Sequence, residues 1–173
     1  LDYARSLMAM RERDTDAQAI LKGILERDAK NPTATALMAE VLERSGDAKA
    51  ALTAYRTALS INLEQNPLQA KSLALNLGRL ALAEEQHEIA LGVLEHFGQQ
   101  YPDDPQIARL LTQAYRVNGI SEKALETAQV VLRVEPATPE RVLWFVDQAL
   151  DLKAPEQALA ALNQSIEKNV SQS

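Results

Sequence analysis

The residues of this sequence that could support acid–base or metal chemistry are few and widely spaced. The chain contains two histidines, His87 and His96, and no cysteine. A separation of nine positions does not bring two side chains onto one face of a helix, so these histidines do not form a pair of metal ligands. Without cysteine the chain has no thiolate nucleophile, no disulfide and no cysteine-based zinc site. We predict two unrelated histidines, on the surface or half buried.

Adjacent carboxylates occur at Glu84-Glu85 and at Asp103-Asp104, where turns and helix starts are expected. Acids favour such positions because the unpaired N–H groups at a helix N-terminus attract negative charge. The sequence contains no glycine-rich phosphate loop, nucleophile elbow or HExxH motif. Nothing in it predicts catalysis, a metal ion or a cofactor, so we expect a protein that is not an enzyme.

The composition predicts an all-α protein. Hydrophobic residues make up 46% of the chain and aromatic residues only 4%, because Ala and Leu supply most of the apolar content. No stretch shows the alternation of β-branched or aromatic residues that is typical of strands. The net charge of −6, with no Lys/Arg cluster, excludes a sequence-independent nucleic-acid binder. The sequence contains no run of about 18 apolar residues, so it does not predict direct insertion into a membrane.

Three segments of the chain are similar to one another. They begin at Gly46, Glu85 and Gly119, and in each a turn is followed by a polar stretch and then by an alanine–apolar pair. Pro105 and Pro139, which are 34 residues apart, open corresponding segments. A period of this length is typical of stacked helical repeats, in which each unit buries its apolar face against the next.

The pattern resembles the tetratricopeptide repeat, a 34-residue unit of two helices, A and B. The family has small residues at positions 8 and 20, where the helices approach most closely, and glycine at position 15, where helix A ends. In the repeat that begins at Pro32, these positions are Ala39, Ala51 and Gly46. The resemblance covers the whole chain and implies a right-handed superhelical solenoid of antiparallel helix pairs.

We expect a single domain of about five repeats, at residues 1–31 (partial), 32–70, 71–104, 105–138 and 139–173. The 32–70 repeat is five residues too long, and Asn66-Pro67 is a helix-start pair, so the next helix A should begin early and be longer than usual. Pro136 should end helix B of the 105–138 repeat. The predicted helices are 2–12, 15–28, 33–45, 48–62, 67–84, 87–100, 105–118, 121–134, 139–151 and 155–168.

In this family, several positions of helix A face a concave groove that binds partner polypeptides. Carried onto this sequence, those positions are Leu75, Asn76, Arg79, Arg109, Leu110, Gln113, Arg116, Leu143, Trp144 and Asp147. Some members clamp a C-terminal carboxylate with a set of lysines, asparagines and an arginine in the groove. Only Asn76 matches that set, so the resemblance does not imply this clamp.

Three arginines and a tryptophan define the centre of the predicted groove. Arg79, Arg109 and Arg116 could bind a partner's carboxylate, because a guanidinium offers two parallel hydrogen bonds; alternatively, they are solvated arginines with acidic neighbours. Trp144, the only tryptophan, should face the groove while Phe145 enters the core, and an exposed tryptophan is a frequent binding anchor. A register shift of one residue, or a further repeat, would instead cover Trp144.

We therefore predict a scaffold that binds a protein or peptide segment in the concave groove, with no nucleic acid as a partner. The alternative is a module for self-association or assembly in a larger envelope or secretion complex, of the kind used for pili, lipoproteins or exopolysaccharide export. The composition, rich in Ala, Leu and Gln, and the absence of an initial Met indicate a piece of a larger bacterial protein. We expect a periplasmic or membrane-associated location, through the remainder of that protein.

Overall fold

The computed structural model describes residues 1–10, 13–134 and 138–170, and all regular structure in these ranges is helical. The helices are α1 (Asp2–Ala9), α2 (Asp14–Arg27), α3 (Pro32–Arg44), α4 (Ala48–Gln65), α5 (Pro67–Ala83), α6 (His87–Gln100), α7 (Pro105–Val117), α8 (Ser121–Val134), α9 (Pro139–Asp151) and α10 (Pro155–Val170). The predicted all-α class is confirmed.

The chain divides into two compact units, one from Leu1 to Gln86 with helices α1 to α5, and one that begins at His87 with helices α6 to α10. Within each unit every helix packs against the next helix along the chain, as short connections between helices favour. The boundary separates the two helices of the repeat predicted at 71–104. The prediction of a single domain of about five repeats stays a prediction.

Side-chain caps fix where several helices begin. Asn31, Asp47 and Asn66 each accept a hydrogen bond from the backbone N–H three residues further on, at 2.9, 3.0 and 3.3 Å. Asp104 accepts hydrogen bonds from the backbone N–H groups two and three residues further on, at 2.9 and 3.0 Å, at the start of α7. These oxygens satisfy N–H groups that have no acceptor within the helix. The caps therefore set the start of α3, α4, α5 and α7.

The extra residues of the 32–70 repeat lengthen two helices. α4 continues to Gln65, three residues beyond its predicted end, because the first residue that disfavours a helix is the one before Pro67. α5 begins at Pro67 and has 17 residues, which confirms the predicted early start. Asn62 is buried just before the added residues, and its Nδ2 donates to the carbonyl oxygens of Ala58 and Pro32 at 2.8 and 3.2 Å.

The end of α1 also differs from the predicted boundary by three residues, because the helix ends at Ala9 rather than at residue 12. Met10 caps the helix in an extended conformation, with φ −100° and ψ 97°. Residues 11 and 12, and the predicted helix stop at Pro136, lie outside the described residues.

The turn between helices A and B keeps one backbone conformation even where the residue type changes. Gly46 and Gly119, at position 15 of their repeats, have φ values of 84° and 72°. Glu85 and Lys153 occupy the same position with φ values of 56° and 57°. This left-handed conformation costs a residue with a side chain roughly 1–2 kcal/mol. Because Glu85 and Lys153 adopt this conformation despite their side chains, the turn does not require glycine, which only lowers its cost.

Small residues occupy the closest approach of the two helices, as the repeat predicts. Ala39 and Ala51 are fully buried in the first unit. In the second unit Thr112 takes the place of the small residue and is also fully buried. Its hydroxyl donates to the carbonyl oxygen of Ala108 at 2.8 Å and lies 3.0 Å from the hydroxyl of Thr127. A hydroxyl fits here because it has hydrogen-bond partners.

Candidate partner-binding site

A pocket of about 410 Å³ lies between α7 and α9 in the second unit. Five predicted groove residues line it, together with two that were not predicted. The predicted ones are Arg109, Leu110, Gln113, Arg116 and Trp144, and the others are Val117 and Gln148. The pocket thus brings together half of the predicted groove residues.

The burial pattern of α7 and α9 explains which side chains reach this pocket. The core-facing side of α7 includes Ile107, Leu111 and Tyr115, whereas the residues of α7 that line the pocket are only half buried or exposed. On α9, Phe145 is buried in the core with an exposed fraction of 2%. Its neighbour Trp144 is half buried, which is the register that the repeat predicts.

Trp144 is held from two sides. Its ring packs against the core cluster that contains Phe145, and the guanidinium carbon of Arg109 lies 4.6 Å from the ring centroid. A cation over an indole contributes about 0.5–1 kcal/mol at exposed sites and more when desolvated. The ring is therefore fixed before any partner arrives, so little side-chain entropy would be lost on binding.

Arg116 links α7 to α9 at one end of the pocket. Its Nη1 donates to Oε1 of Gln148 at 2.7 Å, and its Nη2 donates to Oδ2 of Asp151 at 2.8 Å. The Asp151 side chain is 56% exposed, and ion pairs in such surroundings contribute little to stability. Arg116 therefore has the acidic neighbour that the alternative interpretation of the arginines expects.

The predicted groove residues Leu75, Asn76 and Arg79 lie on α5, in the first unit. Leu75 and Asn76 are half buried, whereas Arg79 is exposed and forms an ion pair with Oε1 of Glu43. The other oxygen of Glu43 accepts a hydrogen bond from the Tyr55 hydroxyl at 2.7 Å. Burial, followed by this hydrogen bond and the charge of Glu43, raises the pKa of the Tyr55 hydroxyl. Glu43 thus neutralises Arg79 within its own unit.

The last two predicted groove residues, Leu143 and Asp147, lie on α9 beside the pocket but do not line it. Both are exposed to solvent. Their assignment as partner-binding residues stays a prediction. Val117 and Gln148, which sequence reasoning missed, follow Gln113 and Trp144 by four residues each. Residues four apart share one helix face, so this spacing could have identified both.

Structural contacts account for three of the residues that could support acid–base chemistry, namely His96, Asp103 and Asp104. His87 and His96 lie on α6, and the His96 ring packs edge-on against Phe97, with centroids 5.4 Å apart. Asp103 pairs with Arg133 at 3.0 Å, and Asp104 caps α7. In the described part of the chain, no group of three or more His, Cys, Asp or Glu side chains could hold a metal ion. Nor does any described helix have the length and apolar character needed to cross a membrane.

One curated protein is similar in sequence. The chain is 30% identical over 142 residues to protein FlbA of Caulobacter vibrioides, a match that covers 82% of the chain. The chain spans only 23% of the length of this relative. No protein-family model matches the sequence.

Solved structures show a closer likeness in fold than in sequence. YrrB, described as a TPR protein with an unusual peptide-binding site, superposes with a TM-score of 0.76 at 21% identity, over 96% of this chain and 83% of YrrB. MamA from Desulfovibrio magneticus RS-1, residues 41 to the end, gives a TM-score of 0.73 at 21% identity, over 99% of this chain and 98% of MamA. The chain therefore has the tetratricopeptide-repeat fold.

Proposed function

We propose that this chain is a non-catalytic scaffold that binds a segment of a partner protein in the pocket between α7 and α9. The observation that carries the proposal is the fixed, half-exposed ring of Trp144 in the lining of that pocket. Aromatic side chains already held in place are frequent anchors of protein interfaces, because their burial removes a large apolar area from water at little entropic cost.

The rest of the lining suits a peptide with both apolar and polar groups. Leu110 and Val117 extend the apolar surface beside Trp144, and the amides of Gln113 and Gln148 are side chains of the type that bonds to a peptide backbone. A concave surface of this composition is typical of sites for extended segments. The likeness in fold to YrrB, which is described as having a peptide-binding site, supports the proposal.

Selection of random peptides against the full chain, followed by titration, tests the proposal. Because Trp144 is the only tryptophan, its fluorescence reports on this pocket directly. We expect selected peptides to change the emission of Trp144 in a saturable way. The Leu110→Ala variant should weaken binding by about three- to tenfold, since one apolar contact of this kind is worth about 1 kcal/mol.

The matched control is Leu159→Ala on α10, which removes the same side chain at a position that is 59% exposed and outside the pocket lining. It should leave the affinity unchanged. The proposal is wrong if no peptide is selected, or if selected peptides bind without changing the emission of Trp144 and lose affinity in the Leu159→Ala variant instead. Assembly in an envelope complex and a periplasmic location, which we expect from the sequence, stay predictions.

A further inference from the structure

We propose that the chain associates head to tail with a second copy of itself, through an apolar face of α9 and α10 on one copy and through α1 on the other. This inference goes beyond the proposed function and does not depend on it, because neither surface lines the pocket between α7 and α9. It is carried by four exposed apolar side chains, which we call the α9–α10 face. They are Leu143, Leu150, Leu159 and Ile166.

The helix pair that precedes α9 shows what these positions do when another helix packs on them. On α7, Arg109 lies over the ring of Trp144, and Arg116 donates a hydrogen bond to Oδ2 of Asp151 at 2.8 Å. Both arginines therefore contact the next helix A. The residues 34 positions after these two arginines are Leu143 and Leu150, on α9.

Two leucines of α8 belong to the same contact. Leu125 and Leu132 are half buried and pack against the core cluster that contains Phe145 of α9. The residues 34 positions after these leucines are Leu159 and Ile166, on α10. Four equivalent positions are thus in contact with a helix on α7 and α8, and exposed to solvent on α9 and α10.

The residue types of the α9–α10 face are those of an interaction surface. Its four side chains are between 53% and 59% exposed, and the two on each helix are seven residues apart, so they share one side of that helix. In soluble solenoids, an outer helix face that remains in water is polar. A row of large apolar side chains is instead typical of a surface that binds another protein.

α1 offers the side of a helix A that fits this face. Counted from the buried alanine at position 20 of each repeat, Tyr3 and Met10 occupy the positions that Trp144 and Asp151 occupy in the 139–173 repeat. Those are the positions through which α9 contacts α7. Tyr3 lies on α1 and Met10 follows it directly, and they are 63% and 57% exposed.

The two surfaces match in residue type as well as in position. When α1 of a second copy packs on α9 as α9 packs on α7, Tyr3 meets Leu143 and Met10 meets Leu150. An acid such as Asp151 would be buried against Leu150 without a hydrogen bond, and the apolar Met10 avoids that cost. Both polar contacts of the internal interface are thus replaced by apolar ones, which is why we infer a second copy rather than an unrelated helix.

Sedimentation velocity of the full chain at increasing concentration tests the inference. The two surfaces differ, so each bound copy keeps one of them open and association can continue. We therefore expect the weight-average mass to rise with concentration beyond that of a dimer. A mass that stays at that of one chain up to about 1 mM, a concentration that populates even weak contacts, would overturn the inference.

The variants Leu159→Glu and Tyr3→Glu each disrupt one of the two surfaces. Each places a carboxylate in the apolar contact and should weaken association by at least about tenfold. Leu68→Glu on α5 makes the same change at a leucine that is 78% exposed, and should leave association unchanged. Circular dichroism should show that all three variants keep their helices. Equal losses in all three would contradict the assigned surfaces.

An equimolar mixture of Leu159→Glu and Tyr3→Glu is the sharpest test. Each variant alone should remain monomeric, whereas the mixture should form dimers and no larger species, because one variant keeps α1 intact and the other keeps the α9–α10 face. A monomeric mixture, or association of either variant alone, would overturn the head-to-tail contact. Peptide binding to these monomeric variants, followed by the emission of Trp144, tests the proposed function separately, so either proposal can fail without the other.

Discussion

Each unit of the molecule contains a glutamate that accepts a hydrogen bond from a tyrosine hydroxyl and forms an ion pair with a basic side chain. The basic side chain is an arginine in the first unit and a lysine in the second. In the first unit Glu43 accepts from Tyr55 and pairs with Arg79, a predicted groove residue. In the second unit Glu95 accepts from the Tyr115 hydroxyl at 2.8 Å and pairs with Lys123 at 3.3 Å. On α7, Arg109 and Arg116 contact side chains of α9.

The comparison shows that residue type alone does not make an arginine a binding residue. Arg79 is opposed by a carboxylate that is 21% exposed and anchored by a tyrosine, so a partner would have to displace an acid held in place. Arg109 lines the pocket that contains Trp144 and stacks on its ring. Because that pocket lies in the second unit, we expect the partner-binding arginine to be there.

Trp144→Ala should have the largest effect. We expect the affinity for a selected peptide, labelled for fluorescence anisotropy, to fall by about 30-fold or more, as for a central interface tryptophan. The free energy of unfolding should fall by about 1–2 kcal/mol, less than for a fully buried aromatic side chain. Circular dichroism should show retained helix; unchanged affinity in a folded variant would place the site elsewhere.

Tyr55→Phe and Tyr115→Phe compare the two glutamate networks. Each removes one hydrogen bond to a charged group, and each should lower the free energy of unfolding by about 1–2 kcal/mol in urea titrations. Neither tyrosine lines the pocket between α7 and α9, so peptide affinity should stay within about twofold for both variants. A large loss of stability in only one variant would show that the networks are not equivalent.

Glu40→Gln should stabilise the first unit at neutral pH. Burial, and then the charge of Glu43, raises the pKa of Glu40 above its usual 4.5, with Arg5 opposing the shift. The ionised form is therefore less favourable in the folded state, and this cost is present above the folded pKa and absent below pH 4.5. We expect a gain of up to about 1 kcal/mol at pH 7 that vanishes near pH 4. A gain that is independent of pH would contradict this cause.

Asp151→Asn should have the smallest effect. Removing the carboxylate that pairs with Arg116 from outside the pocket lining should weaken peptide binding by no more than about twofold, because the ion pair is exposed. Asp103→Asn, which releases Arg133 on α8 in the same way, is the control and should change nothing. A larger loss in Asp151→Asn would show that Asp151 positions Arg116 for the partner.

The fold could be predicted because its signals are local. Asn66 and Asp104 mark helix starts, and Gly46 and Gly119 mark turns. The 34-residue period then locates the corresponding helices of the other repeats. At Glu85 the same backbone turn occurs without glycine, so only the repeat reveals it.

The pairing of the arginines could not be predicted in the same way. Arg79 and Glu43 are 36 residues apart, and Arg116 and Asp151 are 35 residues apart. Both separations are close to one repeat, so these contacts depend on how helix A of one repeat packs beside helix A of the next. The sequence therefore predicted three equivalent arginines, whereas in the structure Arg79 and Arg116 have acidic partners from different helices and Arg109 lies over the ring of Trp144.

The affinities of Arg79→Ala and Arg109→Ala for one selected peptide test the central claim most directly. Both variants lose one positive charge from a predicted groove residue, so each is the control for the other, and both are measured by anisotropy in the full chain. We expect Arg109→Ala to weaken binding by about tenfold or more and Arg79→Ala by less than about twofold. Equal losses, or a larger loss for Arg79→Ala, would contradict a binding site in the second unit.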